Sequence, residues 1–97
     1  MSDFVLSPEA RQDLFNIWDY IAQDNIDAAD RVASEIRNAM ETLALNPAIG
    51  HYRSDLAGEP LRFWRVYTYL IIYRPESKPI QIVRVLSAYR DIRTLLG

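Results

Sequence analysis

A chain of 97 residues has room for one domain with a modest core, and its lack of cysteine excludes disulfides, zinc–thiolate sites and cysteine nucleophiles together. Hydrophobic and charged contents of 49% and 25% exclude wholesale disorder. The formal net charge of −2 conceals a division, with four arginines against eleven carboxylates in residues 1–60 and seven Lys/Arg against two carboxylates in residues 61–97, so the basic C-terminal part is expected to face something anionic.

The N-terminus, MSDFVLSPEA, has neither a basic start nor an apolar stretch of signal-peptide kind, and no apolar run is long enough to span a bilayer as a helix. A cytoplasmic, soluble protein is expected. Asp3 to Leu6 is a short apolar stretch with strand character. Ser7-Pro8-Glu9 then supplies an N-cap, a proline for the first helical turn and an acid for the helix dipole, so a helix should begin at Pro8. Ala10, Leu14, Ile17, Trp18 and Ile21 recur at helical spacing until Asp24-Asn25. A second helix is expected from Asp27, with Ala29, Val32, Ala33, Ile36, Met40 (or Ala39) and Leu43 on its apolar stripe, and it should stop at Asn46-Pro47 because the residue before proline avoids helical backbone. The short connection makes the pair an antiparallel hairpin.

Ala48 to Pro60 lacks sustained periodicity and reads as a loop. Leu61 to Arg74 is rich in aromatic and β-branched residues and should hold two strands meeting near Tyr67-Thr68. Pro75 to Pro79 is a turn, Ile80 to Leu86 a last strand, and Tyr89 to Leu96 a short helix closed by Gly97. The order β-α-α-β-β-β with a helical tail predicts a single α+β domain over residues 1–97, a helical hairpin packed on a small antiparallel sheet.

Simple alternation puts Ile80, Ile82 and Leu86 on one face of the last strand and Val83 and Val85 on the other, while Tyr69, Ile71 and Tyr73 oppose Leu70 and Ile72. Both faces are apolar, and one hairpin covers only one. The second face is therefore left to the terminal segment, a dimer or a partner, and an obligate or near-obligate binding surface is expected.

Four segments in order, LSPEARQDLFNIWDYIAQD, LALNPAIGHYRSDL, LRFWRVYTYLIIYRP and IQIVRVLSAYRDIRTLL, resemble the ParE branch of the ParE/RelE toxins of bacterial type II toxin–antitoxin modules over nearly the whole chain. The family pattern falls on Pro47, Gly50, Arg62, Tyr69, Tyr73, Arg84, Arg90 and Asp91. Arg65 stands where RelE-like toxins place a catalytic arginine. Many ParE sequences close with a His-Gly-Ala-Arg-Asp-like string, and here Ser87-Ala88-Tyr89-Arg90-Asp91 replaces the imidazole. The resemblance implies a cognate, ParD-like antitoxin whose C-terminal segment wraps the toxin in a hetero-oligomer, and it implies inhibition of DNA gyrase by ParE-like members or ribosome-dependent mRNA cleavage by RelE-like ones.

On these grounds the expected target-binding residues are Arg62, Arg65, Arg84, Tyr89 and Arg90, acting by contact with gyrase and not by chemistry. In the alternative reading of an endoribonuclease, Arg65, Arg84 and Arg90 would surround the scissile phosphate, with Tyr67 or Tyr89 as a weak acid. Antitoxin contacts are expected at Leu14, Trp18, Ile21, Tyr69, Tyr73 and Arg74, along the hairpin and the open part of the sheet. His51, the one histidine, reads as a solvated loop residue, Trp18 and Trp64 as core or hairpin–sheet contacts, and Arg90 beside Asp91 as a local ion pair. The acids of the first half, Asp13 among them, read as a mostly solvated helical face whose spacing gathers no metal site. No cofactor, membrane contact or sequence-specific nucleic-acid binding is expected.

Overall fold

The computed structural model describes residues 3–57 and 60–96. Eight elements follow one another: β1 (Phe4–Leu6), α1 (Pro8–Ala22), α2 (Ile26–Leu45), β2 (His51–Tyr52), β3 (Arg62–Val66), β4 (Tyr69–Arg74), β5 (Ile80–Ser87) and α3 (Ile92–Leu96). Gly97, expected to close α3, lies outside the described residues. The α+β architecture is as expected, with one correction. The sheet is mixed, in the order β1-β5-β4-β3-β2, because β1 lies parallel to β5 while the other neighbours are antiparallel. The segment read as a loop also contributes β2, a two-residue edge strand.

Local chemistry sets the helix ends. The Ser7 hydroxyl accepts from the Ala10 amide at 2.9 Å, and the Asn25 side chain accepts from the Ala28 amide at 2.9 Å, so each caps an otherwise unpaired donor. Asn25 being the cap, α2 starts at Ile26, a residue before Asp27. Trp18 Nε1 donates to Asp30 Oδ1 at 2.9 Å and ties the two helices together.

Alternation along β5 is broken. Ile72 stands opposite Arg84 but Tyr73 opposite Ile82, which leaves Val83 as the extra residue of a β-bulge. Side-chain parity switches there. Ile80, Ile82 and Val85 join Ile71 and Tyr73 under the hairpin, against Ala10, Ile36, Met40 and Leu43. Leu86 goes to the opposite face with Leu61, Phe63, Leu70, Ile72 and Ile92, where Val83 also packs. The expected grouping of Leu86 with Ile80 and Ile82, and of Val83 with Val85, is thus corrected by one inserted residue.

The start of α1 satisfies this bulge. Ser7 donates its amide to the Ile82 carbonyl at 3.0 Å and its hydroxyl to the Val83 carbonyl at 2.7 Å, and the Val85 amide donates to Asp13 Oδ2 at 3.0 Å. Asp13, grouped in sequence with the solvated acids, is only 8% exposed. It lies within the Ala10–Leu14–Ile17 stripe, three residues after Ala10 and four before Ile17, and so it faces the sheet.

The second sheet face is covered by the chain itself. Ile92, Leu95 and Leu96 of α3, with Leu56 and Ala57 from the segment between β2 and β3, close over Leu61, Phe63, Leu70, Ile72 and Leu86. Of the three covers left open by the sequence, the terminal segment is the one present, and the expected open sheet face is not found among the described residues. Asp91 heads α3 and is not paired with Arg90: Thr94 donates its hydroxyl to Asp91 Oδ2 at 2.7 Å, which holds that carboxyl below its usual range.

Candidate functional site

Three concave regions among the described residues bear on the expected contacts. The first is a bowl of about 440 Å³ over the face that α3 covers, walled by His51, Arg53, Arg65 and Arg90 and floored by Leu56, Phe63, Leu70 and Ile92. Arg53 is neutralised by Asp55 through two hydrogen bonds of 3.0 and 2.9 Å. That pairing holds the Asp55 carboxyl below its usual range. Arg65 projects from β3 and donates Nε–H to the Tyr67 carbonyl at 2.7 Å, which leaves its two terminal nitrogens open. Among the described residues the Arg90 side chain has no hydrogen-bond or ion-pair partner, and Tyr89, next to it in the chain, is 81% exposed.

The other two expected target arginines are tied inward. Arg84 makes a bidentate pair with Asp13, Nε to Oδ2 at 2.7 Å and Nη2 to Oδ1 at 2.9 Å, with only a fifth of its side chain exposed. The paired carboxylate raises its already high pKa. Arg62 donates to the Gly50 carbonyl at 2.6 Å and lies over the Tyr52 ring, 4.1 Å from the centroid. The trio Arg65, Arg84 and Arg90 does not line one cavity, because Arg84 stands on the far side of the bulge against α1. His51 is exposed, as expected, but it lies on β2 with its ring stacked on Trp64, centroids 6.2 Å apart and planes 15° apart. Trp64 packs half-buried against the hairpin core.

The second region is a groove of about 290 Å³ between the helices and β1, lined by Leu14, Trp18, Phe4, Leu6, Ala29 and Ala33 among others. The small side chains of Ala29 and Ala33 on α2 leave the space. Of the expected antitoxin contacts, Leu14 and Trp18 lie in this groove, and Ile21 is half-buried at the end of α1. Tyr69 lines a separate cleft of about 380 Å³ with Asn16, Tyr20 and Arg90. Arg74 is half-buried at the end of β4.

Tyr73 is not available to a partner. It is fully buried, donates its hydroxyl to the Pro47 carbonyl at 2.7 Å and accepts from the Gly50 amide at 3.0 Å. The central position of β4 and the parity of Ile71 place it in the hairpin core, where it anchors the loop after α2. Sequence reasoning missed this anchoring role, and its signal was the joint presence of Pro47, Gly50, Arg62 and Tyr73, now seen to meet in one knot.

Burial raises the Tyr73 pKa above its ordinary value. The neutral phenol is therefore favoured by folding, so this contribution is complete below about pH 10 and is lost as pH rises through the folded-state pKa. The expected outcome is a denaturation midpoint that falls more steeply above about pH 10 in the parent than in Tyr73→Phe. Equal slopes would show that ionisation of this phenol is not coupled to unfolding.

Among the described residues no cluster of three or more metal-ligating side chains is present. A family model described as "ParE toxin of type II toxin-antitoxin system, parDE" matches residues 4–92. The chain is 31% identical over 100 residues to proteins named "Toxin ParE1" from two strains of Mycobacterium tuberculosis, CDC 1551 / Oshkosh and ATCC 25618 / H37Rv, with 94% of both chains covered in each case. Its fold is similar to that of a chain in the solved structure of the "Chromosomal ParDE TA system from P. aeruginosa", with a TM-score of 0.71, 22% identity, and coverage of 90% of this chain and 96% of that one.

Proposed function

Because the chain belongs to the ParE toxin family of type II toxin–antitoxin systems, which implies a cognate antitoxin, we propose that it inhibits DNA gyrase by direct contact through its arginine bowl and is neutralised when that antitoxin binds. The observation that carries this reading is the pair of guanidiniums left open there: Arg65 and Arg90 share one exposed concavity, while Arg62 and Arg84 are engaged within the fold. The target-contact residues are then Arg65, Arg90 and the exposed Tyr89, with Arg62 and Arg84 supporting the scaffold behind them.

The same division argues against phosphodiester cleavage, since the third arginine of that constellation is held by Asp13. A binding surface needs no proton relay, only complementary charge and an apolar anchor. The antitoxin is assigned to the groove of Leu14 and Trp18, with Ile21 at its end, where an amphipathic segment would insert apolar side chains. Among the described residues no helix is long and apolar enough to cross a membrane. A gyrase-directed protein acts in the cytoplasm, and that location belongs to the same reading.

The test combines antitoxin-free protein with purified gyrase, ATP and relaxed plasmid. Loss of supercoiling or accumulation of cleaved plasmid, reversed by the antitoxin, is the expected result. The double variant Arg65→Glu, Arg90→Glu should need at least about tenfold more protein for the same effect, as expected when close charge pairs are inverted. Gyrase unaffected by folded, antitoxin-competent protein would refute the proposal.

A further inference from the structure

We infer that the arginine bowl recognises an acidic peptide segment of the toxin's target protein, with a carboxylate held between Arg65 and Arg90 and an adjacent aliphatic side chain seated on the apolar floor at Leu56 and Ala88. The inference rests on the reading of the protein as a contact inhibitor and specifies what that contact selects. Three observations carry it.

The wall presents guanidiniums in different states. Arg53 is already satisfied by Asp55. Arg65 is held at Nε by the carbonyl of Tyr67, a hairpin-tip residue with φ of 55°, so its terminal nitrogens are pre-positioned but open. Arg90 is unpaired among the described residues. Two open forks beside one cavity suit an oxyanion that accepts from both.

The floor is aliphatic where it is accessible, since Leu56 and Ala88 are half-buried, whereas Phe63, Leu70 and Ile92 are buried beneath them. Single-stranded nucleic acid binds sequence-tolerantly by stacking bases on exposed aromatic faces. The one aromatic ring on the described part of the wall, His51, already gives one of its faces to Trp64. A side chain such as leucine fits this floor better than a base does.

Charge around the bowl points the same way. The helices of the first half carry the acidic excess of the chain, which repels an extended polyanion but leaves room for a short segment bearing one or two carboxylates.

The experiment titrates the full, antitoxin-free chain with a fluorescein-labelled peptide alternating glutamate and leucine, its glutamine counterpart, and a labelled oligouridine, and maps amide chemical shifts on the unlabelled glutamate peptide. Binding of the glutamate peptide with shifts at Arg65, Phe63 and Ile92, at least tenfold weaker for the glutamine peptide and for the variant Arg65→Gln, Arg90→Gln, is the expected result. No binding of the glutamate peptide, shifts elsewhere on the surface, or oligouridine bound in its place would overturn the inference. Mapping on the parent protein keeps the test decisive should the double variant not fold. Gyrase is absent from the mixture, so failure of this inference and failure of the gyrase reading are separate results.

Discussion

Replacing Asp13 with alanine is expected to cost about 3–5 kcal/mol of folding stability, the range for breaking one side of a buried ion pair. For a protein expected to have only about 5–15 kcal/mol in all, this is a large share. The carboxylate takes three hydrogen bonds, two from Arg84 and one from the Val85 amide. Its removal leaves a guanidinium with one-fifth exposure beside α1 and an unpaired amide next to the bulge. A urea denaturation midpoint, with the slope unchanged, measures the loss. The apolar pair Asp13→Leu, Arg84→Met should restore part of it, since an ion pair and a well-packed apolar pair are often near equal in net stability. Restoration should be incomplete by about 1–3 kcal/mol, because the Val85 amide remains without an acceptor. A single variant within about 0.5 kcal/mol of the parent would mean that the bulge does not depend on Asp13.

Gly50→Ala is the second large effect. No positive φ is involved, because no described glycine has one. The requirement is close approach: a β-carbon on Gly50 would lie 2.8 Å from Tyr73 Cε1 and 3.0 Å from Cζ. The ring cannot withdraw, because it is fully buried against the hairpin core and its hydroxyl bridges the Gly50 amide and the Pro47 carbonyl. Overpacking of this kind costs about 1–3 kcal/mol, and moving the ring would also forfeit hydrogen bonds worth about 1 kcal/mol each. A drop in Tm of roughly 4–8 °C for each kcal/mol is expected at this chain length. Adding Tyr73→Phe removes the nearest clashing atom, so the two changes should be non-additive. An unchanged Tm for Gly50→Ala would show that the loop adjusts without moving Tyr73.

Both residues act through the scaffold behind the bowl. Asp13 holds Arg84, and the Pro47–Gly50–Tyr73 knot holds the loop that carries His51 and Arg53 into the bowl wall. Either variant is expected to lower activity by lowering the amount of folded protein, whereas Arg65 and Arg90 act at the surface. Comparing activity per folded molecule separates the two classes.

The hairpin, the β3–β4 turn and the α+β class could be read from the chain because their causes are local. Ser7-Pro8-Glu9 caps one helix, Asn46-Pro47 ends the other, and the apolar stripes have helical period. The family resemblance was equally legible, since it lies in the order of four segments. The bulge at Val83 could not be read, because IQIVRVLS is apolar at both parities and no choice of face is penalised by the residues alone. The cover of the second sheet face stayed open for a similar reason: a short apolar tail and a partner satisfy the same exposed surface.

At the arginines the division is sharpest. Sequence shows that Arg62, Arg65, Arg84 and Arg90 belong to the basic half, the first three among apolar strand residues and the last just after them, and it determined the composition of the functional face to that extent. Which of them is spent inside the fold depends on neighbours far away in the chain: Arg84 meets Asp13 across 71 positions, and Arg62 meets Gly50 across 12. Charge and periodicity are properties of a segment and survive in the unfolded chain. Pairing and burial are properties of the register between segments, and only the tertiary structure decided them.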